Sequence, residues 1–158
     1  MKYILIGTVF LLTSLLLASC AGVPVQINKS TVSPVPIQKE KQFNEKIISD
    51  TQGAVTILIK PINLDNPGQT LDFDVKMDTH SIDLGMDISK LSTLSIDSGK
   101  TVEAVKWNAP MGGHHVEGTL SFPAIIDGMP LLENSEEITI RIIDVDAPAR
   151  IFKWNLTK

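Results

Sequence analysis

A single cysteine, Cys20, serves all 158 residues. One thiol forms no internal disulfide, and it excludes every zinc pattern built on paired thiolates. Aromatic residues make up only 5% of the chain, so any core must be mostly aliphatic, with few large rings as anchors. There is no cluster of Lys and Arg, and the formal net charge is -4, which removes the electrostatic footprint of a nucleic-acid partner. No serine sits in a strand–turn–helix nucleophile elbow. No Asp-x-Asp-x-Asp-Gly calcium loop occurs. No convincing amphipathic helix is present either. The chemistry of a typical hydrolase is therefore missing, and the expectation is a protein without enzymatic activity.

What is present starts at the first residue. Residues 1–20 read MKYILIGTVFLLTSLLLASC. Lys2 supplies a positive start, Ile4 opens an apolar run that lasts to Leu17, and small residues come after it. A basic start, a short apolar core and a small-residue cut mark a secretory signal. The run is short of the ~20 residues that a membrane span needs, and no basic flank follows it. Leu17-Ala18-Ser19-Cys20 resembles the lipobox of bacterial lipoproteins. The resemblance implies cleavage before Cys20, a diacylglycerol on its thiol and a further acyl chain, such as palmitate, on the new amino group. Two or more chains give stable anchoring where one gives only marginal binding. A lipidated Cys20 also leaves no thiolate for a blue-copper site. The expected organisation is a lipoprotein signal peptide over 1–19, the lipidated Cys20 with a flexible tether over 20–51, and a folded domain over 52–158. The expected location is extracytoplasmic, on a bacterial membrane, and on the outer membrane if the host is diderm, since Ala21 rather than Asp follows the cysteine.

The tether holds Pro24, Pro34 and Pro36 among polar and charged residues, and no apolar period survives in it. About thirty coil residues reach roughly 30 Å on average. Residues 42–48 offer at most one or two helical turns, marginal in isolation.

From Val55 onward the apolar period is two. Leu71, Phe73, Val75 and Met77 fall on one face of a strand, and Asp72, Asp74, Lys76 and Asp78 on the other. Further strands are expected at 92–96, 102–107, 114–122, 137–143 and 150–156. Turn-forming clusters lie between most of them, such as Asn66-Pro67-Gly68 and Asp127-Gly128. The pattern predicts an antiparallel β-sandwich of about seven strands, of immunoglobulin-like or cupredoxin-like size. Trp107 and Trp154 are expected in the core. An aromatic sugar platform would need one indole face exposed.

All three histidines lie in two segments, Asp78-Thr79-His80-Ser81 and Gly112-Gly113-His114-His115. Strand parity directs Asp78, His80, His115 and Glu117 outward, and His114 inward with Val116. If the two strands are neighbours, the four outward groups could share one rim and offer ligands for Cu or Zn, with His114 or the soft thioether of Met111 in reserve. The competing account is structural: Asp78 and His80 bond to backbone at a turn, and His114 ends the core. Residues 78–84 and 107–122 resemble a group of uncharacterised prokaryotic surface proteins with a DTHS-x-DL segment and a later GGHH-x-x-G-x-L-x-F segment. The resemblance implies that both histidine segments belong to one domain type. It implies neither an enzyme nor a metal. The functional expectation is a binding or interaction module at the cell envelope, attached to the membrane through Cys20. The alternative is a structural or adaptor domain that docks another envelope protein without metal.

Overall fold

A computed structural model describes residues 47–156. The signal peptide, Cys20 and nearly all of the expected tether lie outside the described residues. Alternating burial organises the fold. Val55–Pro61 (β2) and Thr70–Thr79 (β3) each bury every second side chain and wet the other set. They pair antiparallel, Ile57 opposite Met77 and Ile59 opposite Val75. Ile48–Gln52 (β1) pairs with the free side of β2. It begins inside the stretch expected to be tether, so the folded domain starts earlier than position 52. Its apolar content is too low to announce a strand.

Ser92–Ile96 (β4) follows a 3-10 turn at Ile88–Leu91 that Asp87 caps through Ser89. Thr101–Glu103 (β5) folds back on β4. The strand expected at 102–107 is in fact two. The Ala104 N–H bonds to Ser92 in one sheet, and the next N–H, of Val105, bonds to Ser121 in the other. Lys106–Asn108 (β6) therefore joins the second sheet beside His115–Pro123 (β7). A period-two pattern cannot show this handover, because it reports which side is apolar and not which sheet accepts the hydrogen bonds.

Ile125–Ile126 (β8) and Met129–Pro130 (β9) form a small hairpin whose turn residues, Asp127 and Gly128, both have positive φ. That is the backbone a tight two-residue hairpin asks for. Glu137–Ile143 (β10) and Ala149–Asn155 (β11) complete the chain. The sheets run β1-β2-β3-β7-β6 and β11-β10-β4-β5, with every pairing antiparallel. Their inner faces bury Phe73, Phe122, Phe152 and Trp154 among Ile, Leu and Val. Phe73 meets Phe122 edge-on at 5.8 Å and Trp154 at 5.6 Å. The β-sandwich expected from the sequence is thus present. Its strands number eleven among the described residues, because β1 and the β8–β9 hairpin are added and one strand is split.

Among the described residues, one buried side chain is charged. Arg150 shares the inward parity of Phe152 and Trp154, and it is wholly buried. Its guanidinium donates to the carbonyls of Val145, Asp50 and Gln52 and to the Asp50 carboxylate, the last at 2.6 Å. Four of the five N–H donors of an arginine are used. Two of the acceptors are β1 carbonyls, so the guanidinium ties the last described strand to the first. Gln52 adds a bond to the Ala149 carbonyl, and Asp146 accepts from the Ala54 N–H. Removing one partner of a buried, bonded ion pair costs about 3–5 kcal/mol. Asp50 keeps some solvent contact, at 23% side-chain exposure. Arg150→Met is therefore expected to lose about 3 kcal/mol, the low end of that range. Urea unfolding checks this, and a loss under about 1 kcal/mol would show that the clamp contributes little.

Candidate functional site

The two histidine segments meet. β3 and β7 are neighbours, and their register sets Asp78 directly opposite His115 and Lys76 opposite Glu117. The His115 Nδ1 lies 2.6 Å from Asp78 Oδ1. An ionised carboxylate only accepts, so Nδ1 is the donor in this bond, and in a neutral imidazole the lone pair is then the one on Nε2. The His80 ring stands edge-on to His115, with centroids 6.2 Å apart. Both imidazoles are exposed.

The loop before β7 is built to hold this arrangement. Gly113 N–H donates to Asp83 Oδ1 at 2.7 Å, and the Leu84 N–H donates to the Gly113 carbonyl at 2.9 Å. The Thr79 N–H bonds to the His114 carbonyl. Gly112 and Gly113 both have positive φ, and a Cβ on Gly112 would sit 3.1 Å from the Asp83 carboxylate. Glycine is needed at this crossing for both reasons. Farther along β7, a Cβ on Gly118 would sit 2.3 Å from the Asn108 carbonyl oxygen, so the chain leaving β6 passes over bare backbone.

The expected ligand set divides here. Asp78, His80 and His115 come together. Glu117 does not join them, because its carboxylate takes Lys76 Nζ at 2.8 Å. That hydrogen bond raises the Lys76 ammonium above its ordinary 10.5, with smaller pushes from the charges of Glu117, Asp74 and Asp78. The charged pair is the favoured form below pH 10.5 and is lost as pH rises through the raised value. His114 does not face inward as its parity suggested. It lies ahead of β7, is exposed, and follows two glycines of positive φ that take it out of the strand's alternation. Met111 is 79% exposed in the same loop. Neither His114 nor Met111 makes a side-chain hydrogen bond or ring contact with the Asp78–His115–His80 group. Among the described residues, no group of three or more His, Cys, Asp or Glu is arranged to hold a metal ion. Two partners were hard to read from the sequence. Lys76 belongs to the wet face by parity, but nothing local matches it to Glu117. Asp83 carries no signal beyond its place in the DTHS-x-DL segment.

Trp154 is buried, and Trp107 is half-buried against the core, so neither supplies the open platform that sugar stacking would require. No helix among the described residues is long and apolar enough to cross a membrane.

No family model matches this chain, and no curated protein matches it significantly. Among solved structures, a DUF4426 family protein from Pseudomonas aeruginosa PAO1 is similar with a TM-score of 0.39 and 13% identity, over 68% of this chain and 93% of that one. A likeness of that size assigns no activity.

Asp83→Ala is expected to loosen the loop without unfolding the sandwich. An exposed bond of this kind contributes about 1 kcal/mol. Amide exchange should quicken at Gly113 and leave β3 unchanged. Exchange unchanged at Gly113 would mean that the carboxylate does not hold the loop.

Proposed function

We propose that this chain is a bacterial lipoprotein, anchored through Cys20, whose β-sandwich serves as a non-enzymatic binding module on the outer side of a membrane. The binding point in this reading is the rim formed by His80 and His115. One observation carries it. Asp78 holds the His115 ring through Nδ1, and the exposed ring stands beside a second exposed imidazole. Carboxylates that fix the tautomer of a histidine in this way are typical partners of metal ligands. The ligand in this reading is a Cu²⁺ or Zn²⁺ ion taken by the two imidazoles, with the remaining positions filled by water or by a side chain of an envelope partner. Asp78 acts as the orienting group, and Glu117, His114 and Met111 are not needed. The alternative, an adaptor that docks another envelope protein without metal, draws on the same exposed rim.

Calorimetric titration of the detergent-solubilised full-length chain with Cu²⁺ and with Zn²⁺ tests the reading. Binding at about micromolar Kd is expected, and it should weaken at least about tenfold in both His80→Ala and His115→Ala. No heat, or binding indifferent to both changes, discards the metal and leaves the adaptor. The anchor is checked separately: mass spectrometry of the membrane-purified protein should find Cys20 as the N-terminal residue carrying a diacylglycerol, and an unmodified Cys20 refutes lipid anchoring.

A further inference from the structure

The outward face of the β1-containing sheet carries a second feature, toward the other end of β3 and β7. A groove of roughly 530 Å³ opens there between β3, β7 and the short edge strand β6. Ser121 forms its floor and is 7% exposed although its side chain points away from the core. Half-buried Thr70, Asp72 and Thr119 form one side, and exposed Lys106 and Asn108 form the other. Register explains the convergence: Asp72, Ser121 and Lys106 stand in one row across three strands, and Thr119 and Asn108 stand in the next.

The polar groups of this groove are unspent. Asp72 is held from below, since Asn63 accepts from its N–H at 2.8 Å and donates to its Oδ2 at 3.3 Å. Its Oδ1 accepts no hydrogen bond among the described residues. The hydroxyls of Thr70, Thr119 and Ser121, the Asn108 amide and the Lys106 ammonium make none there either. A fixed carboxylate, an ammonium, an amide and three hydroxyls therefore face one cavity. Formal charges cancel across it. A phosphate or carboxylate ligand would meet Asp72, and a cation would meet Lys106. A neutral ligand rich in vicinal hydroxyls satisfies all six groups, because each hydroxyl both donates and accepts. Val105, 59% exposed on the rim, offers an apolar contact for the C–H face of such a ligand. The cavity falls in the size range of small-ligand sites.

We propose that this groove is a saccharide-binding site, open to a neutral mono- or disaccharide unit that Asp72 and Lys106 hydrogen-bond from opposite sides. The site is separate from the histidine rim and does not depend on metal.

The experiment is amide NMR of the isotope-labelled full-length chain in a zwitterionic detergent. It is titrated with glucose, N-acetylglucosamine, galactose, mannose and soluble oligomers of each, and with inorganic phosphate as the charged control. At least one saccharide should shift amides near Ser121, Thr119 and Lys106 with a Kd of about millimolar order. Asp72→Asn and Lys106→Ala should each weaken that binding about tenfold, as loss of a charged hydrogen bond does. Asp72→Asn keeps the shape of the side chain, so its spectrum should otherwise match the wild type. His115→Ala should leave saccharide binding unchanged. If no saccharide shifts these amides at about 20 mM, well above that Kd, the proposal is overturned. It is equally overturned if phosphate alone shifts them, or if both groove variants bind as the wild type does.

Discussion

The sandwich depends on one buried cation. Arg150 sits on the core face of the final strand, where every neighbour of like parity is apolar. Burying a guanidinium is costly unless its donors are met. Here they are met by the carboxylate of Asp50 and by the carbonyls of three different residues. Three of these four acceptors belong to β1, the first described strand. The guanidinium thus joins the edge strand of one sheet to the edge strand of the other. At the opposite lateral edge the closure is covalent, as the chain passes from β5 to β6 between Ala104 and Val105. The two closures hold the sheets together with no disulfide.

Between those closures β3 and β7 form a long central ladder, and both candidate sites are built on it. At one end the ladder pairs Asp78 with His115 and steers the ring outward. Toward the other end it ranks Asp72 beside Ser121, with Lys106 added by β6. In each case a side chain is oriented by a neighbour from a different strand or loop: Asp78 for His115, Asn63 for Asp72, Asp83 for the glycine loop. Groups placed on rigid strands and steadied by a second partner are better defined than groups on free loops. The wet face of this sheet therefore carries both proposed sites, and one of its charge pairs, Lys76 with Glu117, is already closed.

Much of the architecture was legible in the sequence because a strand with one wet face writes its parity directly. Leu71, Phe73, Val75 and Met77 are all fully buried, as their alternation required. The turn clusters fell where the chain reverses, and Asp127-Gly128 closes a two-residue hairpin. The same logic placed His115 and Glu117 outward. It failed for His114, where the positive φ of two glycines ends the alternation. It also failed for β1, whose Ser49 and Thr51 are exposed and whose residues carry no apolar pattern. Arg150 was invisible for a different reason: its parity was readable, but only the carbonyls brought from β1 and the β10–β11 turn make a buried cation tolerable.

By itself the sequence determined the all-β class, the inward and outward sets of the main strands, and the absence of any disulfide framework. Each of these is local, set by side-chain period, turn chemistry or a residue count. Tertiary structure alone decided which strands are neighbours, that residues 102–107 divide between two sheets, that Glu117 goes to Lys76 while His115 goes to Asp78, and that Arg150 is satisfied inside the core. Those outcomes depend on register and on contacts between residues as far apart as Asp50 and Arg150. A period-two pattern is the same for every register that keeps its parity, so the choice among them is made only when the sheets pack.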